Sequence, residues 1–164
     1  MTMRDRVKEL RRVPASELRA NPKNWRRHPP AQEAALRGVL EDIGFADAMI
    51  ARETEDGLEL IDGHLRKEVM GDQPVPVLIV DVTEEEADKM LLTLDPLAMM
   101  ANADQDQFLA LLQNAEFESQ AIFDMLGALV EMPPMLGDEL DETLADGVQL
   151  CKCEGCGHEH HKQA

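Results

Sequence analysis

The sequence predicts a small α/β (α+β) domain with a mixed sheet and helices, followed by C-terminal helices and a short zinc-knuckle-like tail. Three observations carry this. Residues 74–82 (PVPVLIVDV) are β-branched and nearly continuous, the pattern of a strand buried on both faces. Strand-like and helix-like segments alternate up to about residue 100, and only helical periodicity follows. All three cysteines lie at the end of the chain, as Cys151, Cys153 and Cys156.

Taken in order, residues 8–13 read as a short edge strand ending at Pro14, and residues 16–18 as a turn. Residues 21–30 hold three prolines and the only tryptophan, Trp25, which forbids a regular helix or central strand and leaves a stiff basic loop. Pro30 suits a helix start; Ala34, Leu36, Val39, Leu40 and Ile43 recur at helical spacing, and Gly44 ends the run. Residues 48–52 and 58–61 form a hairpin around Asp56-Gly57. Residues 64–70 read as a short helix stopped by Gly71. Thr83 and Glu86 make a capping box for a helix through about Leu94, where Pro96 is expected to stop it. Two amphipathic helices follow at about 105–113 and 119–130. The domain is expected over residues 7–100, with a helical extension over 104–130. An acidic linker over 131–147 and a Cys/His-rich tail over 148–164 complete the chain.

Charge is distributed unevenly. Residues 1–37 hold ten Lys/Arg and four Asp/Glu, a net of +6, whereas the remaining residues carry a net of −23. No Lys or Arg occurs from Met90 to Cys151. A DNA-reading helix there would face phosphates without a counter-charge, so phosphate chemistry is expected in the first half. No apolar run approaches the roughly 20 residues of a membrane span, and the N-terminus lacks an apolar signal core. The expectation is a cytoplasmic protein without a membrane partner.

Residues 61–66 place Gly63 between a strand and a helix. Glycine permits the tight turn, a helix start offers free N–H groups to an anion, and Arg66 can add a charge-assisted fork. His64 could donate to a phosphate or shuttle a proton. Asn21, Arg26 and Arg27 bring further donors from the stiff loop. Alone, the turn also fits a purely structural role, and the loop fits a solvated segment.

Together these segments resemble a known family. Residues 10–82 are similar to the N-terminal domain of ParB-type partition proteins and the wider ParB/sulfiredoxin superfamily. The likeness lies in Asn21-Pro22-Lys23-Asn24-Trp25-Arg26, in Leu40-x-x-Ile43-Gly44-Phe45, in Leu60-Ile61-Asp62-Gly63-His64-Leu65-Arg66 and in Val75-Pro76-Val77, in that order. The resemblance implies a module that binds a nucleoside triphosphate, CTP or ATP, with Mg2+, and acts in DNA transactions of a bacterium or phage. It implies that Gly63, His64 and Arg66 form the phosphate turn, faced by Asn21, Arg26 and Arg27. Expected partners are the nucleotide, DNA or a DNA-processing protein, and a second copy in a homodimer.

The departures narrow this. Sulfiredoxins carry a cysteine before the matching His-Arg pair, where this chain has Gly63, so their chemistry is not expected. The acidic second half removes the partition-type DNA reader. Relatives described as nucleases or a small-molecule kinase need a carboxylate, and among Glu33, Glu41, Asp42, Asp62 and Glu68 only Asp62 adjoins the turn. Asp62 is therefore the candidate catalytic residue; its alternative is to cap the next helix. A different class of reading is an adaptor that docks a partner through its acidic helices and tail.

The tail offers metal ligands. Cys153-x-x-Cys156-Gly157-His158 has knuckle spacing, and Cys151, His158, His160 or His161 can complete a tetrahedral Zn2+ site. The second cysteine pair of a zinc ribbon is missing. The other reading is a His-rich tail that binds metal adventitiously.

Overall fold

The computed structural model describes residues 3–131, 150–152 and 159–161. The chain divides into two units, Met1–Met132 and Pro133–Ala164.

The first unit is built on a four-stranded sheet: β1 (Val7–Pro14), β2 (Met49–Thr54), β3 (Gly57–Asp62) and β4 (Pro74–Val80), in the order β1-β4-β2-β3. β4 pairs antiparallel with β1 and parallel with β2, and β2 and β3 form an antiparallel hairpin. The apolar run therefore lies inside the sheet, where Val75, Val77 and Ile79 are fully buried. Its two prolines are tolerated for a topological reason. The ladder with β2 begins at Val77, so Pro74 and Pro76 pair only with β1, and on the other side β4 is still an edge.

Both faces of the sheet are covered. One core joins Val13, Leu18, Met49, Leu60, Val75 and Ile79. The other joins Ile61 and Val80 to Ala87 and Leu91 of α3 (Glu84–Met99). The helices α1 (Pro30–Asp42), α2 (His64–Met70), α4 (Gln105–Asn114) and α5 (Gln120–Glu131) complete the unit. The expected capping box is formed: Thr83 Oγ1 accepts from Glu86 N at 3.2 Å, and Glu86 Oε2 accepts from Thr83 N at 2.9 Å. α3 corrects one expectation, because it runs through Pro96 to Met99 rather than stopping near Leu94. Proline deprives only the Leu92 carbonyl of its intrahelical donor. Leu92 is exposed, so water can serve that carbonyl.

α5 packs on α1 at Gly38. A Cβ there would meet Ser119 Oγ at 2.3 Å, so the glycine admits the close approach and lets Ile122 bury. Among the described residues no helix is long and apolar enough to cross a membrane.

In the second unit β5 (Leu150–Lys152) and β6 (Glu159–His161) pair antiparallel, with Cys151 opposite His160. The acidic linker beyond Glu131 and the expected ligands Cys153, Cys156 and His158 lie outside the described residues, and Cys151 and His161 are placed by backbone only.

Candidate functional site

The site begins where β3 passes into α2. Gly63 has φ of +96°, and a Cβ there would come within 2.7 Å of Met49 Cγ. Backbone conformation and core packing thus both demand glycine. The turn leaves Arg66 in the first turn of α2. Its Nη2 donates to Asp62 Oδ2 at 2.6 Å, and its Nη1 is bonded to Asp47. Asp62 therefore does not cap α2, which has no side-chain cap; the carboxylate aims Arg66 instead. Burial alone would raise Asp47, but the Ala48 N–H and the Arg66 guanidinium outweigh it and hold that carboxyl below its ordinary value.

His64 is buried, and its Nε2 accepts from the Asn21 backbone N–H at 3.2 Å. That contact fixes the neutral tautomer with the proton on Nδ1. Burial lowers the imidazole pKa, and it prevails over the opposing pull of Asp62 and Glu68. His64 thus lines the site but spends Nε2 as a tether between the basic loop and the start of α2.

Asn21 is buried behind the loop. Its Oδ1 accepts from Lys23 N at 2.9 Å and its carbonyl from Asn24 N at 3.0 Å, an Asx-type turn that shapes the segment. Trp25 Nε1 donates to Leu91 O at 3.2 Å, and Lys23 Nζ is tied to Glu84 and Asp88 of α3. Arg26 then turns inward, its guanidinium carbon 5.4 Å from the centre of the Trp25 ring. Its Nε lies 2.6 Å from Asp95 Oδ2, close enough for an ion pair but out of line for a hydrogen bond. That buried N–H has no acceptor among the described residues. Arg27 is exposed and does not join this wall.

These side chains enclose an open cavity of about 310 Å³. Asn24, Arg26, His28, Asp62, Arg66 and Asp95 form its polar wall. Leu36 and Val39 of α1, Met90 and Leu94 of α3, and Met125 of α5 form the apolar wall. Of the expected phosphate ligands, Gly63, His64, Arg66 and Arg26 come together, while Asn21 supports them from behind. Asp47 and Met125 carried no local signal in the sequence. Asp95 lies just before Pro96, where the sequence predicts a helix stop, and the fold brings it to the cavity.

No family model and no curated protein matches the sequence. Solved structures do. The C-terminally truncated chromosome-partitioning protein ParB from Caulobacter crescentus, complexed with CTP-gamma-S, matches with a TM-score of 0.54 at 15% identity. That match covers 63% of this chain and 61% of the partition protein, so the chain spans about three fifths of its length. Sulfiredoxin from Arabidopsis thaliana matches with a TM-score of 0.40 at 17% identity, over 51% of this chain and 98% of that one. A Pnob8-like ParB N-terminal domain matches with a TM-score of 0.46 at 15% identity, over 97% of this chain and 59% of that one. The match to the partition protein shows that the chain has a ParB-like fold.

Proposed function

We propose that the cavity binds a nucleoside triphosphate of the CTP or ATP class, its phosphates against Arg66 and Arg26 and its base along the apolar wall. The module would act in bacterial or phage DNA transactions. The observation that carries this is that two arginines from separate elements, Arg26 and Arg66, line one cavity together with apolar side chains of α1, α3 and α5. The ParB of the same fold was solved in complex with CTP-gamma-S, which favours a nucleotide over another anion.

In this reading Gly63 supplies the turn, His64 and Asn21 hold the loop against it, and Asp62 positions Arg66. Asp62 is the only expected catalytic carboxylate on the wall. Its carboxylate is engaged by Arg66, and the reading proposed is binding rather than turnover. Mg2+ would arrive as the counter-ion of the phosphates; among the described residues no three His, Cys, Asp or Glu side chains converge to hold a cation themselves. Zn2+ in the tail is proposed on the Cys/His spacing alone.

Calorimetric titration with CTP, ATP and GTP, each with Mg2+, tests the reading. Saturable binding of one nucleotide is expected, and Arg66→Ala should weaken it by about 1.5–3 kcal/mol, the usual worth of a hydrogen bond to a charged group. No binding at millimolar nucleotide, or equal affinity in the variant, overturns it.

A further inference from the structure

Residues 92–130 do not complete their own packing. Among the described residues they contribute ten of the fifteen exposed large apolar side chains, including Leu97, Met100, Leu109, Leu111, Phe123 and Leu129. α4 buries no residue at all. A helix of that length is marginal in water by itself, since isolated helices need about 12–15 residues even with good formers. α5 is apolar around most of its circumference yet buries Ile122 alone, and such a helix normally lies inside a larger assembly. Exposed large apolar side chains concentrated in one segment point to a binding role for it.

Charge decides what covers it. The same 39 positions, 92–130, hold six Asp/Glu and no Lys or Arg, and of the six only Asp95 is paired with a cation of the first half among the described residues. A second copy would bring acids against acids across the face. The chain's own residues 132–149 carry five further acids and no cation, so they meet the same objection. Strand addition is also unsuited, because this region presents only helices and no open strand edge. Leucine and methionine dominate the exposed set, and methionine adapts to varied apolar partners.

We propose that the helices of residues 92–130 form a docking surface for a cationic amphipathic helix of a partner protein. Leucine and methionine side chains take its apolar stripe, and the surrounding carboxylates take its Lys/Arg face. This names the chemical class of partner for the adaptor role foreseen in the sequence; Leu94, Asp95 and Met125 border both this surface and the cavity, whereas Leu97, Met100, Leu109 and Leu111 lie outside the cavity lining.

The test titrates the full chain, at about 0.15 M salt, with two labelled Leu/Lys peptides of about five helical turns. One is an amphipathic helix, and the other has the same composition scrambled to remove the apolar stripe. The amphipathic peptide is expected to bind at least about tenfold more tightly. Leu111→Gln, at the most exposed leucine of α4, should weaken that preference while the melting curve and Trp25 fluorescence stay unchanged. Leu97→Gln/Met100→Gln should reduce it, which keeps the test alive if α4 unfolds in the first variant. Equal binding of the two peptides would reduce the effect to net charge and overturn the proposal. Preference retained in both variants, or self-association removed by these substitutions, would overturn it as well.

Discussion

The two halves of the first unit solve the same physical problem differently. Among the described residues, the chain through Val80 supplies thirteen of the sixteen buried apolar residues, and beyond Leu91 it supplies only Ile122. The first half also neutralises its cations across elements: Lys8 with Glu53, Arg52 with Glu59, Arg66 with Asp62, and Lys23 and Arg26 with Asp88 and Asp95 of α3. The helical second half leaves leucines, methionines and acids facing water. The sheet half thus contains what specifies it, whereas the helical half has apolar surface and charge whose complement lies elsewhere. Substitutions should separate the two sharply.

The largest effect is expected at Gly63. Alanine there must adopt a φ of +96° and press on Met49, so Gly63→Ala should cost about 2–4 kcal/mol of stability in denaturant melts. Leu111→Gln in α4 should move stability by less than about 0.5 kcal/mol. If Leu111→Gln is as damaging as Gly63→Ala, α4 is part of the core and the contrast fails.

Next comes pH, acting through His64. Burial depresses its pKa below the ordinary 6.5, so between that value and the folded-state value the unfolded chain binds a proton that the folded chain does not. Stability is therefore complete above about pH 6.5 and falls as pH drops below it, by at most about 1.4 kcal/mol per unit from this group. His64→Gln retains an acceptor for the Asn21 N–H without a titrating group, and it should flatten this part of the profile. An NMR titration that places His64 above its ordinary value would contradict the tether.

The same contrast explains what could be read from the sequence. The β4 strand, the Thr83 capping box, the Asp56-Gly57 hairpin and the Gly63 turn follow local rules of periodicity and backbone, and each formed. Pro96 misled because a proline near a helix C-terminus removes only one hydrogen bond, and the exposed end of α3 tolerates the loss. His64 is legible as part of the strand-to-helix turn, but its acceptor role depends on a residue 43 positions away. Asp47, Asp95 and Met125 meet the site only through the fold, and no short motif announces them. Arg27 looked equivalent to Arg26 in the loop; the Asx turn and the Trp25 anchor select which of the two faces inward.

The smallest effect is the most specific test of the polar wall. Asp47 holds Arg66 Nη1, and its own side chain is 75% exposed. An exposed ion pair contributes about 0–1 kcal/mol, so the latch is weak. A phosphate that approaches Arg66 must compete with it for the guanidinium. Asp47→Asn keeps the shape and removes the competing charge, while Asp62, one helical turn before Arg66, still aims the side chain. Affinity for inorganic tripolyphosphate should therefore rise by about two- to fivefold, the binding equivalent of that lost ion pair, with stability nearly unchanged. A fall in affinity would mean that Asp47 assists the ligand instead of competing with it. The acids around the arginines would then belong to the binding wall itself, and the sheet half would share the helical half's need for a partner to complete its charge.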